Sequence, residues 1–348
     1  MAGPVSRSLR WLRWIGPLLL ILLILWAGTD RLWRAARAGN PWWLLFGWVL
    51  NFPQLGLKAL RWQRIVRWQG IPLPYRNAFL SYFGSLLVGF LTPGRLGEMA
   101  KAFTLRHDYG VPLAAAFSSV ILDRLFDLYL LMSLGALGII RFGLVGSSLS
   151  WPIFIGLCAL VFAPLLFLNE PVVRRLGGYL SGLGLLASRK ALIQEKADQF
   201  ATGLAVLGPA RIAECVALTI AAYAVFFLQC YCCAWALGFY PGAVDMVLLM
   251  AATNFISFVP ISISGLGTRE ACLIFFLARL AEPQSPATAV AFGLMLFLVL
   301  FVGGGFIGFI CWQWAPIGLR RSAEEVKKRS ADKTAEEYDR PGERRNSQ

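Results

Sequence analysis

Runs of about twenty apolar residues recur along the chain, separated by short basic stretches, and each is close to what a helix needs to cross a bilayer. This pattern limits the fold more than any motif does. Inside hydrocarbon, backbone N–H and C=O groups find no water, so continuous apolar runs must close their hydrogen bonds internally as helices. Composition agrees, since 57% of the residues are hydrophobic and only 15% are charged. A soluble chain of this make-up would expose too much apolar surface to stay dispersed. The expected fold is an all-α polytopic membrane protein.

The apolar runs and their flanks give a threading. "RSLRWLRWIGPLLLILLILWAG" starts like a signal peptide, but tryptophan stands where cleavage needs a small residue. Its apolar part, 15–28, is therefore read as a retained first helix. A second crossing begins in "NPWWLLFGWVL" and ends in "KALRWQRIVRW", where Lys58, Arg61, Arg64 and Arg67 mark a cytoplasmic exit. Further apolar runs cover 77–106, 111–140, 151–168, 211–238, 243–280 and 286–314. Two of them, 77–106 and 243–280, are interrupted by proline, glycine and charge. Within 189–207, Leu192, Ile193, Ala197, Phe200, Leu204 and Leu207 recur near helical spacing, as in an amphipathic helix on the cytoplasmic membrane surface. The integral domain is taken as 1–317, followed by a charged cytoplasmic tail, 318–348.

With both termini in the cytoplasm, the groups Lys58–Arg76, Arg106, Arg174–Arg211 and Arg320 onward all fall inside. Arg141 and Arg279 fall outside, as do Arg31, Arg34 and Arg37, which are an imperfection. The count holds only if each interrupted segment enters and leaves on one side. The reading is six crossings plus two re-entrant helical hairpins, one from each face, in a bundle with inverted repeats.

The net charge of +14 is concentrated at the ends of apolar runs. That placement sets orientation and attracts anionic headgroups, and no domain for nucleic acid is visible. The seven cysteines lie in apolar segments, and "QCYCCAW" has no histidine or carboxylate beside it to complete a metal site. His107 is the one histidine. No metal, cofactor or catalytic residue is expected.

The chemistry concentrates in three places. "SLLVGFLTPGRLGEMAKAF" and "NFISFVPISISGLGTREACLIFF" each carry a proline, a glycine turn, and an arginine close to a glutamate before helix resumes. Such paired breaks are the strongest sequence pointer to a transporter site. Each turn leads into a helix N-terminus whose free N–H groups favour an anion. Thr92 and Thr268 can cap those starts. Arg95 and Glu98, three apart, can pair on one helix face, whereas adjacent Arg269 and Glu270 face each other poorly, so one of them needs another partner. In "VILDRLFDLYLL", Asp123 and Asp127 share a face, and Arg124 can reach Asp127. These residues are candidates for binding and moving a phosphate-bearing headgroup, with structural ion pairing as the plainer role for the aspartates.

At "TPGRLGE", "LDRLFD", "SISGLGTRE" and the "LRW" of 60–62, the chain resembles the membrane domain of bacterial lysylphosphatidylglycerol synthase/flippase proteins in a stand-alone form. The resemblance covers roughly 10–315. It implies an inverted-repeat bundle of the bacterial inner membrane that acts as a lipid flippase or scramblase, with Arg95, Glu98, Asp123, Arg124, Arg269 and Glu270 at the site. Its partner would be a membrane lipid with an anionic or zwitterionic headgroup, and a homo-oligomer is left open. Only about thirty residues follow the last span, too few for the soluble synthase domain of full-length members, so aminoacyl transfer is not expected. Two alternatives stand beside transport. One is an intramembrane transferase acting on a lipid-linked sugar. The other is an accessory scaffold using "PWWLLFGW" as an interface.

Overall fold

The computed structural model describes residues 39–91, 98–143, 175, 190–257 and 267–314, and these are helical with short turns. The expected spans at 15–28 and 151–168, the tail, Arg95 and Thr92 lie outside the described residues. In chain order the helices are α1 (Pro41–Val49), α2 (Asn51–Trp68), α3 (Tyr75–Leu91), α4 (Ala100–Tyr109), α5 (Leu113–Arg141) and α6 (Lys190–Leu204). They continue as α7 (Pro209–Ala236), α8 (Ala243–Ser257), α9 (Thr268–Leu277), α10 (Pro286–Leu296), a π-helical turn (Phe297–Val302) and α11 (Gly303–Trp314). α1, α7 and α10 each start on proline, whose missing N–H costs nothing in the first turn. Asn40 and Ser285 cap two of these starts, accepting from the N–H groups of Trp42 and Thr288 at 3.0 and 3.1 Å.

α1 and α2 run on through Leu50 with helical dihedrals and lie antiparallel to α7. At one end the Asn40 N–H donates to the Ala236 carbonyl at 2.8 Å, and the Trp43 and Trp235 rings meet. At the other end Arg211 lies over the Trp68 ring and Arg64 reaches Glu214 at 3.3 Å. These contacts define an Asn40 end and a Trp68 end of the molecule.

The two interrupted segments start from opposite ends. α3 begins at the Trp68 end and packs on α4, whose last residue Tyr109 accepts at its hydroxyl from Asn77 Nδ2 at 3.0 Å. α5 leaves that end and is 29 residues long, about 43 Å at 1.5 Å per residue, so it finishes at the Asn40 end. There Arg141 faces Asp245 near the start of α8, and the Phe142 ring meets Phe276 near the end of α9. α4 and α9 are 10 residues each, about 15 Å and half of a bilayer's hydrocarbon.

Element starts keep one register. Pro41 and Pro209, Tyr75 and Ala243, and Ala100 and Thr268 are each 168 apart. Packing is reciprocal as well: α5 lies along α8, while α11 lies along α3. The two largest apolar cores among the described residues follow this division. One surrounds α3 and α4 with residues of α2, early α5 and α11. The other surrounds α8 and α9 with late α5, α7 and α10.

Polarity is inverted relative to a soluble protein. Lys58, Arg61, Lys101, Asp123 and Asp127 are buried, while Ile212, Val216 and Ile220 on α7 and Val302, Phe306 and Ile310 on the last helix form exposed apolar stripes. α7 and the Pro286–Cys311 helix are both long and apolar enough to cross a membrane. Among the described residues, exposed basic ones are more numerous at the Trp68 end, with Arg64, Arg67, Arg76, Arg106 and Arg211, than at the Asn40 end, with Arg141 and Arg279.

α6 forms where the amphipathic pattern placed it, but its apolar face has a different use. Ala201 and Leu204 are buried and pack with Ile65, Leu122 and Cys215, joined by Phe200 and Leu207. Gln69 Nε2 ties the helix down through the Gly203 carbonyl at 2.9 Å. The end of the bundle itself offers an apolar surface, so this face packs on protein.

Candidate functional site: a buried chain of charges

Asp123 and Asp127 sit one helical turn apart on α5, and both are buried, as their shared face required. Their partners are cations from other helices. Lys58 Nζ lies 2.9 Å from Asp127 Oδ2, Arg61 lies 2.9 Å from each aspartate, and Lys101 Nζ lies 2.6 Å from Asp123 Oδ2. The five side chains alternate in sign in the order Lys58, Asp127, Arg61, Asp123, Lys101. Further donors of Arg61 are used on the Asp123 carbonyl at 2.8 Å and on Thr219 Oγ1 at 2.6 Å. Lys101 is enclosed by rings, 4.2 Å from the Tyr82 centroid and 5.1 Å from that of Trp62. Trp62 in turn donates to Ser119 on α5 at 3.2 Å. The chain thus clamps α2, α4, α5 and α7 together.

This corrects the reading of Lys58 and Arg61 as markers of a cytoplasmic exit. α2 continues to Trp68, so Arg64 and Arg67 reach the surface while Lys58 and Arg61 remain in the bundle. Arg61 is fully buried beside two carboxylates. Sequence reasoning does not single out Lys101. An apolar neighbourhood around a lone lysine behind "GRLGE" was its only signal.

One pairing also differs from expectation, while the expected partner of Glu98, Arg95, lies outside the described residues. Arg124 does not turn to Asp127. It pairs with Glu98, the residue just behind the break in the first hairpin. Arg61 and Lys58 already occupy Asp127, which leaves Arg124 free to reach the buried Glu98. Residues 123 and 124 of α5 therefore hold both charged residues described at the start of the short helix, Glu98 and Lys101.

The third cluster lies at the start of α9. Adjacent Arg269 and Glu270 do pair, with Arg269 Nε and one terminal nitrogen donating to Glu270 Oε1 at 3.0 and 2.6 Å. Length and side-chain torsions let the guanidinium fold back along the helix start. That same nitrogen also donates to the Gly293 carbonyl of α10 at 2.9 Å, so the second partner that was expected exists as well. Glu270 Oε2 accepts from the Gly267 N–H at 2.6 Å, which makes the glutamate the cap of this helix and leaves Thr268 as its first residue. Gly267 has φ +81°, a conformation that side chains with a Cβ rarely adopt, and this explains the glycine in the turn. Phe297 and Phe301, stacked on each other in the π-helical turn, flank the guanidinium at 5.8 and 5.4 Å. The other terminal nitrogen, NH1, is buried with no hydrogen-bond partner among the described residues. Replacing Arg269 by lysine keeps the charge but removes the fork, and is expected to cost about 1–3 kcal/mol in thermal unfolding of the detergent-purified protein.

Lys101 and Arg269 occupy the same place in the two halves. Each is the second residue of its 10-residue helix, and the two are 168 apart. The clusters around them are distinct, with no ion pair joining them among the described residues. Cys230, Cys232 and Cys233 are buried and free, and no group of metal ligands forms among the described residues.

The lysylphosphatidylglycerol synthase TM region model matches residues 13–308. A UPF0104 membrane protein of Methanothermobacter thermautotrophicus is 26% identical over 285 residues, which cover 74% of this chain and 80% of the relative. A UPF0104 membrane protein of Methanocaldococcus jannaschii is 21% identical over 327 residues, covering 89% and 94%. With a family match across all described helices but the last few residues, and apolar stripes outside a charged interior, the chain is a membrane protein that belongs to the lysylphosphatidylglycerol synthase TM region family.

Proposed function

We propose that this protein moves a polar-headed lipid across the cytoplasmic membrane, as a flippase or scramblase. In this reading α3–α4 and α8–α9 are re-entrant hairpins of an inverted repeat, the first open to the cytoplasm at the Trp68 end and the second to the opposite face. Together with the spans expected from sequence at 15–28 and 151–168, which lie outside the described residues, the long helices would make six crossings. The excess of exposed arginine at the Trp68 end supports the orientation.

The observation that carries the reading is the matched pair Lys101 and Arg269. Each half places a buried cation at the second position of a short helix, about 12 Å from the end where that helix finishes, given eight residues to Tyr109 and to Leu277. An ionised side chain at such depth is expensive and marks a polar path. Two of them, one in the hairpin assigned to each face, suit a phosphate that passes from one half to the other while its acyl chains stay in lipid, once the rings that close over Lys101 part. Arg269 is the better first contact, since NH1 has no partner among the described residues to surrender.

The test is reconstitution into vesicles with head-labelled fluorescent lipids and an external quencher. Wild type should expose inner-leaflet lipid faster than empty vesicles do, and Arg269→Ala should slow this by on the order of tenfold, the loss of one charged hydrogen bond. An unchanged rate in a folded Arg269→Ala protein would remove Arg269 from the path. A wild type no faster than empty vesicles would end the transport reading, and turnover of a lipid-linked sugar donor would then favour the transferase.

A further inference from the structure

The charge chain ends in a cation on both sides. Lys58, Arg61 and Lys101 supply three positive charges against the two negative charges of Asp123 and Asp127, and the neighbouring Arg124 is matched by Glu98. One positive charge in the interior is therefore uncompensated among the described residues. Its depth makes this costly. Lys58 lies ten residues before Trp68 on a straight run of helix, about 15 Å from that end and so near the middle of a 30 Å hydrocarbon layer. An uncompensated ion there is strongly disfavoured.

The two ends of the chain differ in access. Lys101 has no exposed surface and is closed in by Trp62 and Tyr82. Arg61 is likewise fully enclosed. Lys58 is the member that reaches the surface, with 10% of its side chain exposed and the face of Tyr223 at 4.3 Å. Its ammonium carries three donors, of which Asp127 takes one.

We infer that Lys58 is an anion subsite, which takes a singly charged phosphate group as the third counter-charge of the chain. The ligand chemistry is a phosphodiester on a lipid headgroup or a free inorganic phosphate. Assignment to a lipid rests on the transport reading above, but the subsite does not. With the anion bound, signs alternate through six groups with no net charge. Without it, the chain holds one more cation than carboxylates among the described residues.

The test uses purified protein in dodecyl maltoside, a detergent without phosphate, with two arms. In one, spin-labelled phosphatidylglycerol competes with spin-labelled diacylglycerol, which lacks the phosphodiester, for protein-bound positions. In the other, inorganic phosphate is titrated into the detergent-solubilised protein and followed by calorimetry. Lys58→Gln leaves two cations against two carboxylates, a balanced chain, so the fold is expected to survive. It should lower the preference for phosphatidylglycerol, or the affinity for phosphate, by about tenfold. Lys58→Arg should keep most of it. Binding lost in the first arm identifies a lipid source, and in the second arm a free anion. Equal anion preference in wild type and a folded Lys58→Gln protein overturns the inference, as does the absence of anion binding by wild type in both arms. If wild type binds anionic lipid through Lys58 yet moves no lipid in vesicles, the subsite stands and the transport reading falls.

Discussion

Asp123→Ala is expected to destabilise the protein by about 3–5 kcal/mol, enough to abolish most folded yield in detergent. The substitution removes the carboxylate that lies 2.9 Å from Arg61 and 2.6 Å from Lys101, and neither cation has any exposed surface on which to find water. It leaves Asp127 alone among three buried cations. The expected magnitude is the penalty for the stranded charges, which exceeds the worth of the intact pair. Size-exclusion recovery and thermal unfolding measure it. Asp123→Ala combined with Lys101→Met restores the balance of one carboxylate to two cations at best, so only partial recovery is expected. A single variant that melts within about 1 kcal/mol of wild type would mean that water reaches these residues, and the buried chain would have to be redrawn.

Gly138→Ala is expected to be the most damaging of the single-methyl additions. α5 and α8 approach so closely that a Cβ at residue 138 would stand 2.5 Å from the Leu248 carbonyl oxygen and 3.2 Å from the Ala252 Cβ. The obstacle is backbone, so no side chain can swing away. Gly135 faces Ala251 and Phe255 in the same seam. Helix propensity by itself predicts that alanine in mid-helix gains about 1 kcal/mol over glycine. A net loss of about 1–3 kcal/mol in thermal unfolding therefore reports the forced separation of α5 and α8. Gly242→Ala, which meets only Asp245 Oδ2 at 3.7 Å, serves as the comparison and should change stability little. Equal effects at the two positions would mean that the seam is looser than these distances require. The consequence would extend to function, because α8 carries the second hairpin.

Much of the helix plan was legible because the signal is local. Apolar runs report helices, proline and glycine report their interruptions, and 77–106 and 243–280 resolve into helix pairs as their sequences indicate. Asp123 and Asp127 were recognisable as a facing pair because i and i+4 meet on any helix. Cross-helix partnership has no such signature. Lys58 and Arg61 continue the three-residue spacing of Arg64 and Arg67, and nothing local separates the buried pair from the exposed one. The position of the helix end relative to α5 separates them. For the same reason helical spacing matches Arg124 to Asp127, three residues on, while its partner in space is Glu98.

What the sequence alone determined is a membrane-embedded helical chain with two broken segments and charges at their breaks, since hydropathy and backbone hydrogen bonding act over a few residues. What only the tertiary structure decided is which charges meet. The alternating series from Lys58 to Lys101, and the extra cation it leaves over, exist because α2, α4 and α5 converge. Coulomb energies depend on distance through space and on exclusion of water, and neither quantity is written in the spacing along the chain.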